Sequence, residues 1–147
     1  MNNLMEKYNR AIAEFHEANR RVAEASLAFS AVFRPAATDL SKIAPLYRKY
    51  TALAREKEFR ADGQRNDKQF VFAVLHLYSP ASLCGGIISR KVRRAVAESL
   101  GIKADTAIYK MRSVAVAWYG TYPLFRSECN IAIQAFCEAL GLADMQN

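Results

Sequence analysis

The chain has 147 residues, of which 52% are hydrophobic and 24% charged, and this composition excludes wholesale disorder. Six glycines and four prolines are too few for the turns of a β-sandwich, and three cysteines without a CxxC pair indicate reduced thiols and no zinc site. The net charge of +7, from 21 basic and 14 acidic side chains, favours polyanionic partners. No apolar run reaches the roughly 18 residues of a membrane span, and the first residues do not resemble a secretory signal. We therefore expect an all-α, cytoplasmic protein with no membrane partner.

The first 32 residues carry a heptad repeat. From Leu4 to Val32, apolar and small residues recur in alternating steps of four and three, a spacing typical of coiled-coil helices. A helix of about 30 residues, roughly 45 Å long, is expected to end at Arg34-Pro35, because proline disfavours helical geometry at the preceding residue. We expect it to pack either on residues 45–61 of the same chain or on a second copy. The large side chains assigned to oligomerisation are Tyr8, Phe15, Val22 and Phe29.

Residues 38–61 are predicted to add a second helix to this N-terminal arm. Capping side chains precede it, and Pro45 suits a first helical turn. Its narrow apolar stripe consists of Leu46, Tyr50 and Leu53, in a segment that is charged as far as Arg60. Residues 62–66 are the expected hinge. The sequence thus divides into a helical arm (1–61), a compact helical domain (67–141) and a tail (142–147).

The second half is predicted to form a compact helical bundle. Residues 68–78 are apolar almost all round, which is typical of a helix in the middle of a core, although a buried strand fits this run nearly as well. Further helices are expected over 90–100, from 105 or 106 to about 119, and after Pro123 as far as Gly141. Gly101 and Gly120 are expected to end the first two of these helices.

The positive charge is concentrated in the second half. Residues 60–126 contain eleven basic and four acidic side chains, hence +7, whereas residues 1–59 contain ten and seven, hence +3. The densest cluster is the run from Arg90 to Arg94, Arg-Lys-Val-Arg-Arg. Such a field attracts nucleic acid first and anionic lipid second. The alternative interpretation is an ordinary solvated basic face.

Two of the predicted helices meet at Gly101. Ala97, four residues earlier, is small at the point where the second helix would cross closely, and Gly101 can adopt the positive φ of a sharp turn. Leu100 and Ile102 flank this glycine with aliphatic side chains. The stretch 97–111 resembles the helix-turn-helix of DNA-binding proteins, whose local form is roughly Leu-Ala-x-x-Leu-Gly-Val-Ser-x-x-Thr-Val.

This sequence departs from the helix-turn-helix pattern at two positions. Lys103 stands where the family has serine or threonine, and Ala107 stands where it has an aliphatic residue. We therefore expect a turn that is one residue longer, with Ile108 in the buried position.

The resemblance implies double-stranded DNA as the partner, with the helix from about residue 105 to 119 lying in the major groove. Arg112 is the candidate for a bidentate guanine contact, and the basic residues of the preceding helix and the turn would hold phosphates. The implied DNA-binding residues are Arg90, Lys91, Arg93, Arg94, Lys103, Thr106, Tyr109, Lys110, Arg112 and Ser113. A helix-turn-helix accompanied by oligomerising helices is also similar to phage small terminase subunits and to regulators of mobile elements.

The sequence does not indicate an enzyme. His76 lies in an apolar run and is expected in the core, Cys84 has no identifiable base partner, and Gly85-Gly86 lacks the spacing of a phosphate-binding loop. We expect a DNA-binding protein that self-associates through its arm, with no cofactor, metal or small-molecule substrate. The alternative is a helical assembly or adaptor protein, such as a component of a phage or mobile-element particle, that docks its basic face on an acidic partner.

Overall fold

A computed structural model describes residues 2–32, 34–61 and 67–142. This part of the chain contains six α-helices and no strand, so the predicted all-α fold is confirmed. The helices are α1 (Asn2–Val32), α2 (Ile43–Glu56), α3 (Asp67–Tyr78), α4 (Arg90–Leu100), α5 (Ala107–Thr121) and α6 (Pro123–Ala139). Short 3₁₀ turns at Leu40–Lys42 and Pro80–Cys84 precede α2 and follow α3. In these ranges, no helix combines the length and the apolar character needed to span a membrane.

The chain divides after Arg34 into two compact units, and α1 alone makes up the described part of the first. Ion pairs form between neighbouring turns of this helix, and the Arg20 guanidinium contacts the carboxylates of both Glu17 and Glu24. The predicted heptad stripe lies exposed: Tyr8 is 57%, Phe15 64% and Val22 65% accessible. The side chain of Phe29, the fourth residue assigned to oligomerisation, lies outside the described part.

The second unit begins at Pro35, so α2 belongs with the basic half of the chain rather than with the arm. The physical reason is its apolar stripe: Ile43, Leu46 and Tyr50 are buried against α3, α4 and α6. The helix also ends at Glu56, earlier than its run of charges suggested, and Phe59 turns back into the core. The predicted hinge at 62–66 lies outside the described residues.

Helix α3 occupies the centre of the second unit and contacts α2, α4, α5 and α6. Its run from Phe70 to Leu75 is completely or almost completely buried, which confirms the helical alternative to a buried strand. Tilted and edge-on aromatic contacts join Tyr50, Phe70 and Phe136 in this core. The prediction that His76 is a core residue is wrong, because its side chain lies on the exposed face of α3.

A buried polar network joins α2, α3 and α6. The Glu128 carboxylate, 6% accessible, accepts hydrogen bonds from the backbone N–H groups of Arg60 and Ala61, each at 2.9 Å, and from Gln69 Nε2 at 2.8 Å. The Tyr50 hydroxyl in turn donates to Gln69 Oε1. A buried carboxylate is costly unless its oxygens are satisfied, and here three donors satisfy them. The network fixes the chain after α2 against α6.

Candidate nucleic-acid interface

Helices α4 and α5 and the turn between them form the region that resembles a helix-turn-helix. Helix α4 begins where the Ser89 hydroxyl accepts a hydrogen bond from the Val92 N–H, and it ends at Gly101, which has φ +70°. The Ile102 N–H then donates to the Ala97 carbonyl at 2.9 Å, a bond that closes a helix through a left-handed residue. Ala97 itself is buried. Gly101 therefore adopts the positive φ that was predicted for it and ends α4.

The turn covers residues 101–106, and α5 begins at Ala107. Ile108 is fully buried while Ala107 is only partly so, which confirms the expected shift of the buried position by one residue. The helix continues through Gly120 to Thr121, past the glycine that was expected to end it. Gly120 has no positive φ and lies within the helix.

Three of the predicted DNA-binding side chains face into the protein and contact one another. Two guanidinium groups lie close to the Tyr109 ring, with the carbon atoms Cζ of Arg93 and Arg112 each 5.1 Å from its centroid. Arg93 also donates to the Tyr109 hydroxyl at 2.8 Å and to the Ile88 carbonyl at 3.1 Å. We therefore assign Arg93 and Tyr109 to the joint between α4 and α5 rather than to the interface.

Arg112 ties α5 to the loop that follows α3. Its Nη1 donates to the backbone carbonyl of Gly86 at 2.8 Å and to that of Ser82 at 3.3 Å. The guanidinium is half-buried, and its Nη1 is engaged within the fold rather than directed to solvent. Asp105 is similarly occupied: its carboxylate oxygens lie 3.8 Å from Arg93 Nε and 4.0 Å from Arg94 Nε.

A groove of about 350 Å³ lies where the turn crosses α4. We call it the basic groove and define it by Arg90, Arg94, Lys103 and Thr106, all exposed. Arg90 and Arg94 are one helical turn apart, and the chain reversal at Gly101 brings Lys103 beside them. Glu98, which was not among the predicted site residues, also lines the groove. Its four-residue spacing from Arg94 is the sequence signal that places both side chains on the same face of α4.

The exposed face of α5 begins at this groove. Thr106, Lys110 and Ser113 follow one another at helical spacing, and all three are exposed. Lys91 is exposed as well but does not line the groove. Of the ten predicted DNA-binding residues, seven are thus on the surface, and six of them belong to the basic groove or to this face of α5.

The described residues offer no group of three metal-binding side chains. Cys84 is exposed in the loop after α3, whereas Cys129 and Cys137 are buried, as expected for small core residues. Burial raises the pKa of the Cys137 thiol, which keeps the thiol protonated and weakly nucleophilic.

Comparison of the chain with protein-family models, curated proteins and solved structures finds no match.

Proposed function

We propose that this protein binds double-stranded DNA, with phosphates in the basic groove and the exposed face of α5 in the major groove. The observation that carries the proposal is that Thr106 belongs to both surfaces. A duplex seated on α5 by its base edges therefore brings its phosphate backbone to the cations of the groove.

Charge supports the phosphate role of the groove. Its lining has three basic side chains and two acidic ones, and residues 90–112 as a whole have seven and two, hence +5. Asp105, one of the two acids, is paired with Arg93 and Arg94. The groove also adjoins the N-terminus of α5, the end at which the helix dipole and free N–H groups favour anions. Arg90, Arg94 and Lys103 would neutralise phosphates, which gives affinity without sequence information.

Sequence reading would fall to the face of α5. Thr106, Lys110 and Ser113 carry two hydroxyls and an ammonium group, and such groups form hydrogen bonds with base edges and phosphates. All three are exposed, whereas Tyr109 and Arg112 are engaged within the fold. Self-association through α1 would join two such surfaces and raise the affinity through effective concentration.

The test is fluorescence anisotropy with a labelled random duplex, titrated between about 50 and 200 mM salt. The variant R94A/K103A removes two cations from the groove, and the matched control R48A/K49A removes two exposed cations from α2. We expect the negative slope of log K against log salt to become shallower by about 1.8 in the groove variant, or 0.9 for each lost phosphate contact. The control should leave the slope unchanged.

Two results would contradict the proposal. Equal losses in the two variants would mean that net charge alone attracts DNA. No binding at the lowest salt would remove DNA as the partner, and the basic groove would then be pursued as a docking surface for an acidic protein.

A further inference from the structure

We infer that α1 binds α1 of a second copy in antiparallel orientation, with Phe15 of each copy opposite Ala18 of the other. The inference rests on the self-association in the proposed function and adds its orientation and register. It starts from the exposed heptad stripe of α1, in which large residues occupy one position (Tyr8, Phe15, Val22) and alanines the other (Ala11, Ala18, Ala25).

The alternation of sizes distinguishes the two orientations. In a parallel pair each heptad position faces itself, so layers of two large side chains would alternate with layers of two alanines. The alanine layers would bring the helices together, while the layers of large side chains would hold them apart. In an antiparallel pair the two positions face each other, and each of the six layers between Tyr8 and Ala25 combines one large side chain with one alanine, while Leu4 at the end of the stripe faces Phe29. Only this orientation gives layers of uniform thickness, which close packing favours.

One register satisfies all the described layers at once. When Phe15 faces Ala18 of the second copy, Val22 faces its Ala11 and Tyr8 faces its Ala25, and each pairing occurs twice by symmetry. The overlap then includes nearly all of the 31 residues of α1. A shift by one heptad in one direction places Tyr8 opposite Val32, and a shift in the other direction places Val22 opposite Leu4.

The charges beside the stripe favour the same arrangement. In antiparallel coiled coils the residues that precede the large heptad position flank the same positions of the partner, which places Glu14 beside Arg21 of the second copy and Arg21 beside its Glu14. In this structure Arg21 contacts Glu17 of its own helix through Nε only, at 3.3 Å. A parallel pair would instead place Glu14 beside Asn19 and form no such ion pair.

A shallow concavity of about 380 Å³ lies on the flank of the stripe, where Ala18 borders it together with Arg10, Ala13, Glu14, Glu17 and Arg21. The Phe15 ring, 64% accessible, would pack against Ala18 of the second copy at the edge of this concavity.

Disulfide trapping of the full chain tests the orientation. Cys84→Ser removes the exposed thiol, and the remaining cysteines are buried. In that background two single-cysteine variants, A11C and V22C, are prepared separately, mixed and gently oxidised. Antiparallel pairing in the inferred register places positions 11 and 22 opposite each other, so the mixture should yield the A11C–V22C disulfide, identified by its mass. Positions 11 and 11, or 22 and 22, would then be separated by about 16 Å along the axis, at 1.5 Å per residue, too far for a disulfide.

Each outcome has one meaning. The mixed disulfide, formed at least about tenfold over the two symmetric ones, supports the inference, since a tenfold ratio corresponds to about 1.4 kcal/mol. Symmetric disulfides from A11C alone would overturn it in favour of a parallel pair. A chain that sediments as a monomer at the concentrations used would overturn self-association itself. The two contradicting results would leave the proposed DNA binding by the basic groove unaffected, because the anisotropy titration tests it separately.

Discussion

Arg112 and Lys110 lie two residues apart on α5, and the same truncation to alanine should have opposite consequences at the two positions. Arg112 is half-buried and donates to the carbonyls of Ser82 and Gly86, whereas Lys110 is exposed on the face proposed for DNA. R112A should therefore destabilise the fold. K110A should weaken DNA binding and leave the fold unchanged.

The magnitude for R112A follows from its contacts. A hydrogen bond from a charged donor contributes about 1.5–3 kcal/mol, and the 2.8 Å bond to Gly86 is the stronger of the two. The guanidinium over the Tyr109 ring adds about 0.5–1 kcal/mol. Water can replace part of these interactions at a half-buried site, so we expect R112A to lower the free energy of unfolding by about 2–4 kcal/mol. At roughly 2–4 °C per kcal/mol for a chain of this size, Tm should fall by about 5–15 °C.

Thermal unfolding followed by circular dichroism measures the stability, and anisotropy at a temperature where both variants are folded measures DNA binding. K110A should keep the Tm within about 2 °C, since exposed substitutions stay near ±0.5 kcal/mol, and should reduce the salt slope by about 0.9. R112K serves as a control, because it keeps the charge but loses the planar fork, and it should also be destabilised. If R112A kept the wild-type Tm and lost DNA binding, the structural assignment of Arg112 would be refuted.

Four further variants address other parts of the chain. E128A leaves buried donors from Gln69 and two backbone N–H groups without an acceptor, so we expect a loss of about 3–5 kcal/mol in urea unfolding; a loss below about 1 kcal/mol would contradict the network. G101A should lower the free energy of unfolding by about 1 kcal/mol, because φ is +70° at this glycine although the space around it is open. G120A should raise the free energy of unfolding by about 0.5–1 kcal/mol, because Gly120 is helical and the space around it is also open. Urea unfolding of both variants checks the two signs. Hydrogen bonding to Arg20 lowers the pKa of Glu17, so the unfolded chain binds this proton more readily, and the stabilisation is present above about pH 4.3 and lost as pH falls through the lower folded value. Far-UV circular dichroism of wild type and E17Q should therefore differ at neutral pH and converge near pH 2, and a difference that persists in acid would contradict the ion pair.

The helices of the second unit were largely predictable because their signals are local. Ser79-Pro80 follows the last helical residue of α3, Gly101 ends α4, and Pro123 begins α6. The all-round apolar character of α3 also correctly predicted its central position. Each of these signals depends on backbone preference or on helical periodicity within a few residues, and tertiary packing did not override them.

Tertiary contacts account for what the sequence could not predict. Arg112 and Lys110 are both long cations on one predicted helix, and only the carbonyls of a loop some 30 residues earlier direct one of them inward. The division of the chain failed for a related reason: the polar stretch 62–66 has the composition of a loop, but composition does not tell whether the flanking helices pack together. Tyr50 and Phe70 lie on either side of that stretch in the sequence, and their ring centroids are 6.0 Å apart in the same core.

Two copies joined through α1 would carry two basic grooves, and the affinity should then depend on the length of the duplex. A duplex of about 10 base pairs covers one helical turn, 34–36 Å, and has room for one groove, whereas about 40 base pairs can engage both. The second contact is then intramolecular, at an effective concentration that can raise affinity by about 10²-fold or more. The variant F15E places a charge in two layers of the inferred pair and keeps a good helix former in α1. It should sediment as a monomer, bind the short duplex as wild type does, and lose the preference for the long one, whereas a preference kept by monomeric F15E would contradict the coupling of self-association to DNA binding.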